Sequence, residues 1–240
     1  MGRAYEVRKA SIQKTGAARG KIYSMYAREI YEAAKTGGTE LESNYILKRL
    51  VEGAKSEQVP SDIIKRAIDK VNNGVDENYQ HTRYELFGPA GSTVVVDCLT
   101  DNVNRTVSSI RTVVNKCRTK IGAMGSVVYQ YDNLAVVAFR GLTVDETMEL
   151  LLDANLNIDS IDDNDGITVV YSDPADLHGV TEVIKGKLPN VEFLTDDIEM
   201  IAKDTIKLSG EDLDAFNRLL TGLDEVEDVQ HVYHNVDLGE

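Results

Sequence analysis

The stretch YELFGPAGSTVVVDCLTDNVNRT, residues 84–106, is where the apolar pattern of the chain switches from a helical to an extended period. Residues 83–87 and 93–99 read as strands. Gly88-Pro89-Ala90-Gly91 between them has the composition of a hairpin turn. Residues 104–120 then read as a helix with Val107, Ile110, Arg111, Val114 and Cys117 on or near its inner face. Residues 126–131 read as another strand, so this part of the chain runs ββαβ.

Upstream of the switch the period is 3.6. Ile22, Tyr26, Ile30 and Ala33 mark one stripe over residues 21–35, and Gly37-Gly38 supplies its stop. Leu47, Leu50, Val51 and Ala54 mark a second stripe over residues 43–56. Pro60 opens a third helix at a position where proline is tolerated, with Ile64, Ala67, Ile68 and Val71 inward and Gly74 at its end. Three short amphipathic helices bury their stripes against one another, which predicts a helical domain.

Downstream, strands are expected at 135–139, 158–161, 167–171, 191–195 and 200–208, with helices at 144–154 and 174–186. This is βαββαβ with an extra strand, the order of a ferredoxin-like sandwich. A helix at 210–223, capped by Ser209, and a strand at 229–235 close the chain. That last pair is too small to stand alone and would leave a sheet edge and a helix face uncovered. The expectation is therefore an α+β chain of three domains, an N-terminal three-helix domain plus two ferredoxin-like α/β domains, one inserted in the other. The boundaries expected are 1–76 for the helical domain, 77–131 plus 207–240 for the discontinuous one, and 132–206 for the acidic insert. Two α/β domains in strict chain order are the simpler alternative.

The 240 residues carry a net charge of −14, distributed unevenly. Residues 1–75 hold 14 Lys/Arg against 9 Asp/Glu, residues 76–140 hold 7 against 6, and residues 141–240 hold 5 against 25. The first 28 residues alone contain Arg3, Arg8, Lys9, Lys14, Arg19, Lys21 and Arg28 against one acid, Glu6. A polyanion-facing end joined to a repelling, solubilising end is the functional reading of this asymmetry; solvated helix faces are the bland one. Tyr5, Tyr23, Tyr26 and Tyr31 lie among the basic groups, and an exposed tyrosine can stack on an unpaired base. Tyr26 falls on the apolar stripe, which leaves Tyr23 as the better candidate for exposure. The opening lacks the apolar core of a secretory signal, and no stretch reaches the roughly 20 apolar residues of a membrane span. Cytoplasmic residence is the expectation.

The sequence offers little reactive chemistry. Cys98 and Cys117 are too few and too far apart for a disulfide framework or a zinc site, and Cys98 reads as a small buried apolar residue. His231 and His234 resemble HxxH, but on a strand residues three apart point to opposite faces. The acidic run at 159–166 fails as a calcium loop, because Ile161 and Ser172 fall where its first ligand and its bidentate Glu are required. GxxxxGK[ST], GxGxxG and GxSxG are missing from the sequence. No enzyme, metal or cofactor is expected.

Five stretches together resemble the YebC/PmpR family: ARGKIYSMYAREIYEAAKTGG (18–38), VPSDIIKRAIDK (59–70), the quoted 84–106, GSVVYQY (125–131) and EDVQHVYHNVD (227–237). The opening Gly2-Arg3 and the closing DLGE are similar to a YeeN-like bacterial branch. The tryptophan and the histidine-containing basic run common near the start of other members are missing. The resemblance implies three domains and a regulator without catalytic activity, described either as a DNA-binding transcriptional regulator or as a ribosome-associated translation factor that relieves stalling. It also implies phosphate contacts around Lys21, in the basic segment Arg19-Gly20-Lys21. It aligns Asn102, Asn104, Arg105 and Thr106 with a DNxNRT motif. Helix capping is the expected role of Asn102 and Asn104, while Arg105 is expected to face outward and to be replaceable by Ala with little effect on stability.

The reading that results is a non-enzymatic nucleic-acid-binding regulator of gene expression. Arg3, Arg8, Lys9, Lys14, Arg19, Lys21, Tyr23, Arg28 and Arg105 are its candidate contacts. Its partner is ribosomal RNA or DNA, with the ribosome favoured because no recognition helix stands out for a major groove. The alternative is a protein-interaction or small-ligand-binding regulatory module without direct nucleic-acid contact.

Overall fold

The computed structural model describes residues 16–238, with side chains from residue 19 onward. In chain order its principal elements are α1 (Gly16–Gly37), α2 (Tyr45–Ser56), α3 (Ser61–Asn72), β1 (Gln80–Phe87), β2 (Thr93–Thr100), α4 (Val103–Lys116) and β3 (Lys120–Ile121). There follow β4 (Tyr131–Phe139), α5 (Val144–Asp153), β5 (Ile158–Asn164), β6 (Ile167–Ser172), α6 (Leu177–Lys187) and β7 (Thr195–Ala202). The chain ends in β8 (Ile206–Lys207), α7 (Gly210–Asp224), β9 (Val229–His234) and β10 (Val236–Asp237). Among the described residues no helix is long and apolar enough to cross a membrane. Two compact units result. One gathers α1 to β3 together with α7 and β9, the other β4 to β7.

In the first unit the three helices bury Ile30, Tyr31, Ala34, Leu47, Val51, Ala54, Ile64 and Ala67 against one another, at the three- and four-residue spacings of helix faces. Asn44 fixes the first corner. Its Oδ1 accepts from Leu47 N at 3.0 Å as the N-cap of α2, and its Nδ2 donates to the carbonyls of Ala33 at 2.8 Å and Gly38 at 2.7 Å. Gly37 is needed there because a Cβ would lie 2.6 Å from Asn44 Nδ2. Tyr31 ties the helices to the linker, its hydroxyl donating to Val75 O and accepting from Glu77 N, both at 2.8 Å.

The sheet of this unit has the order β3-β1-β2-β9, every pair antiparallel. Its central strand β2 is buried along almost its whole length, which is why TVVVDCLT reads as a continuous apolar run. β9 lies against it with Val94 opposite His234 and Val96 opposite Val232. The chain thus returns, after β4 to β7, to complete a sheet begun at residue 80. Ile110 and Val114 of α4 and Phe216, Leu219 and Leu223 of α7 are buried, and a Cβ on Gly222 would lie 2.8 Å from Val113 where the two helices meet.

The structure corrects one strand of this unit. Of the expected strand 126–131, Tyr131 alone is extended, as the first residue of β4. Residues 126–130 form a loop and a short 3₁₀ turn, with β3 at Lys120–Ile121 as the sheet edge. The cause is Glu85 of β1, whose buried carboxylate accepts the backbone N–H groups of Gly125, Val127 and Val128. Those donors are therefore withdrawn from any ladder.

The second unit has the order β5-β6-β4-β7 and the succession βαββαβ, a ferredoxin-like sandwich. Alternation along β4 sends Ala135, Val137 and Phe139 to a core with Leu151, Val180 and Ile184, and Val136 and Ala138 to the opposite face with Val169 and Tyr171. The strands expected at 191–195 and 200–208 are replaced by one strand, β7 at Thr195–Ala202, and the short β8, with Phe193 ahead of β7 packed edge-on against Phe139 at 6.3 Å. The acidic run ends in a tight hairpin turn at Asp165-Gly166, with φ of 51° and 75°.

Candidate nucleic-acid interface

Lys21, Arg28 and Lys35 of α1 are seven residues apart, two helical turns each, so they share one face. Each meets acidic chain. Lys21 Nζ donates to the Asp224 carbonyl at 2.6 Å and to Asp224 Oδ1 at 3.0 Å, at the C-terminus of α7. Arg28 is buried and donates to Glu227 O at 2.9 Å and Glu227 Oε1 at 2.8 Å, and stands 3.6 Å from Asp228 Oδ1. Lys35 donates to Asp76 Oδ1 at 2.7 Å and Glu77 O at 2.9 Å, and its pKa is raised, first of all by the hydrogen bond to Asp76.

Arg105, in the first turn of α4, forks onto the same acidic segment. Its Nε donates to Asp228 Oδ2 at 3.2 Å and its Nη2 to Asp228 Oδ1 at 2.8 Å, with Asp101 Oδ1 at 2.7 Å. Asp228 is only 3% exposed and also accepts from Thr106 Oγ1 at 2.8 Å. Burial pushes its pKa up, but the bonds from Arg105 and Thr106 and the charges of Arg105 and Arg28 outweigh burial and hold it below the ordinary aspartate range. Asp228 is thus a hub joining α1, the start of α4 and the loop before β9. Asp224, Glu227 and Asp228 were not among the sequence candidates, although Asp228 sits inside the EDVQHVYHNVD stretch.

The remaining candidates are placed as follows. Arg19 is exposed near the start of α1. Tyr23 is half-buried against the helical core, not freely exposed as the stripe suggested. Arg3, Arg8, Lys9 and Lys14 lie outside the described residues. The structure brings Lys21, Arg28 and Arg105 together around residues 224–228 and engages all three internally.

Asn102, and not Asn104, is the cap. Its side chain accepts from Arg105 N at 3.1 Å as N-cap of α4, while Asn104 is exposed in the first turn. Asn102→Ala is therefore expected to lower stability by about 1 kcal/mol and Asn104→Ala by almost nothing, as read from urea midpoints. The reverse order would show that the cap is misassigned.

His231 and His234 stay apart. His231 Nε2 faces Glu29 Oε1 at 3.4 Å, while burial pushes His234 down to about 4, its ring edge-on to Phe216 at 5.1 Å. No group of three metal-ligating side chains is present among the described residues. Cys98 is buried in β2, and burial raises its pKa to about 12, far from a reactive thiolate. A shallow cleft between α1 and α3, lined by Arg28, Arg66, Lys70, Glu77 and Tyr79, has its charges paired, Lys70 with Glu77 at 2.7 Å and Arg66 with Asp62 at 3.0 Å.

Known proteins resemble this chain over its whole length. A probable transcriptional regulatory protein of Acholeplasma laidlawii is 45% identical over 237 residues, 98% of each chain. One from Alteromonas mediterranea is 40% identical over 235 residues, again 98% of each. The crystal structure of a conserved hypothetical protein, Aq1575, from Aquifex aeolicus superposes with a TM-score of 0.79 at 30% identity, covering 95% of this chain and 93% of that one. The profile of the TACO1/YebC protein N-terminal domain matches residues 3–74, and that of the TACO1/YebC second and third domain matches residues 79–236. With both profiles matched in order along one chain, this protein belongs to the TACO1/YebC family.

Proposed function

We propose that this protein is a non-enzymatic regulator of gene expression whose basic N-terminal segment holds the phosphates of a nucleic acid, RNA of the translation machinery before DNA. The observation that carries the reading is the segregation of charge, from a net positive first third to a last hundred residues with 5 basic against 25 acidic groups. A basic segment docked into structured RNA, with acidic surface projecting away, suits that distribution better than groove reading by one helix. The names of the relatives in Acholeplasma and Alteromonas favour regulation in general.

The test is the salt dependence of binding to ribosomes and to a DNA duplex. Arg8, Lys9, Lys14 and Arg19 changed together to Gln should flatten the slope of log affinity against log salt by roughly 3 if all four engage phosphates. Circular dichroism is the folding control. Equal slopes for the two proteins would sink the reading. A partner retained in full after nuclease treatment would favour the protein-interaction alternative.

A further inference from the structure

Lys21 and Arg28 on the cationic face of α1 are matched by an acidic segment some 200 positions away in the sequence. Of the four carboxylates around Lys21, Arg28 and Arg105, one is buried and three are exposed. Asp228 is inside the protein, and Asp101, 57% exposed, is bound by Arg105 at the entry to α4. Asp224 and Glu227, the carboxylates that meet Lys21 and Arg28, have side chains 56% and 72% exposed. An ion pair with so exposed a partner contributes little to stability, because water and salt screen it. The cations on the other side are not free to swing away. Lys21 is 18% exposed and Arg28 9%, and backbone carbonyls of residues 224 and 227 hold them in place independently of the carboxylates.

This is a preformed pair of anchored cations covered by two displaceable anions. We infer that Lys21 and Arg28 form a phosphodiester-binding site that the Asp224 and Glu227 side chains occupy in the unbound protein, as internal stand-ins for nucleic-acid phosphates. The inference rests on the proposed nucleic-acid reading and adds a site and its cover. The local charge count supports the exchange. Three cations face four carboxylates as the structure stands, and loss of Asp224 and Glu227 leaves three facing two. A phosphate arriving with its own charge would restore the balance while Asp224 and Glu227 turn to solvent.

The experiment compares the native full chain with Asp224→Asn/Glu227→Gln, measured with a 20-nucleotide single-stranded RNA and with a DNA duplex at several salt concentrations. A charge-matched control, Glu211→Gln/Asp212→Asn, removes the same charge from the exposed first turn of α7. The uncovered variant should bind its preferred probe roughly tenfold more tightly near 0.1 M salt. Its slope should be steeper by about 1 to 2, one or two added phosphate contacts. The control should match the native protein, and adding Lys21→Gln to the uncovered variant should reverse part of the gain. Glu227→Gln alone serves as the milder variant if the double one unfolds. Native binding with no change in the uncovered variant would overturn the inference and leave the nucleic-acid reading standing. So would an equal gain in the control, which would mean bulk charge alone. If neither protein bound either probe at low salt, both would fall. A gain confined to RNA or to DNA identifies the source of the phosphate.

Discussion

Asp228→Ala should destabilise the first unit by about 3–5 kcal/mol, the range for removing one partner from a buried ion pair. The carboxylate accepts from Arg105 Nε and Nη2 and from Thr106 Oγ1, and lies 3.6 Å from Arg28 Nη1. Its removal strips buried Arg28 of a buried counter-charge and leaves a 3%-exposed position lined by donors. The damage comes from what is left behind more than from the pair itself. A change to Asn, which keeps the shape and one acceptor, should cost less. Arg105→Ala should cost about 1–3 kcal/mol, because its side chain is 48% exposed and Asp228 retains Thr106 and Arg28. That departs from the expectation of a nearly neutral Arg105, because its guanidinium is a fork on an internal carboxylate. Urea unfolding of the three variants checks the order. A loss below about 1 kcal/mol for Asp228→Ala would show that Asp228 is not a hub.

The elements that the sequence made legible are those whose patterns are local. The hairpin at β1 and β2 is announced by a Gly/Pro-rich tetrapeptide between an alternating aromatic-containing run and a β-branched one, and α1 to α3 by apolar residues at 3.6-residue spacing. Even the distant pairing of β9 with β2 follows from a local fact, that a terminal helix and strand leave an edge and a face to cover. The misread elements are those decided at long range. Val127, Val128 and Tyr129 have strand composition, yet a carboxylate forty residues earlier takes the backbone donors of Val127 and Val128. Charge is the clearest case. Seven basic groups in 28 residues are countable in the sequence, but the partners of Lys21 and Arg28 are roughly 200 positions distant. A count of charge signals an electrostatic role without distinguishing a free cation from one already matched. Tyr23 shows the same limit for apolar contact, since its place beside the stripe sufficed to half-bury it.

Glu85 supplies the other large effect. A carboxylate 4% exposed in a strand is expensive unless fully bonded, and this one is met by three converging N–H groups, from Gly125, Val127 and Val128. Glu85→Ala would leave all three without an acceptor. With each buried unmade bond costing about 1–3 kcal/mol, and some relief from water entering the loop, the expected loss is about 3–4 kcal/mol. The sign of its pH dependence follows from the same geometry. Burial alone would raise the Glu85 pKa, but the three N–H groups together with nearby Arg83 outweigh it and bring the value below the ordinary range. A group depressed on folding stabilises fully above its unfolded value, about 4.3, and that contribution is lost as pH falls through the folded value. Asp228 is depressed as well and acts in the same direction. Native stability should therefore fall from about pH 5 downward, and Glu85→Gln, which cannot ionise, should begin lower at pH 7 but decline less steeply. Urea midpoints of the two proteins at pH 7, 5, 4 and 3 measure the difference. Parallel declines would mean that Glu85 is not the charged acceptor holding residues 125–128, and the loop would need another explanation.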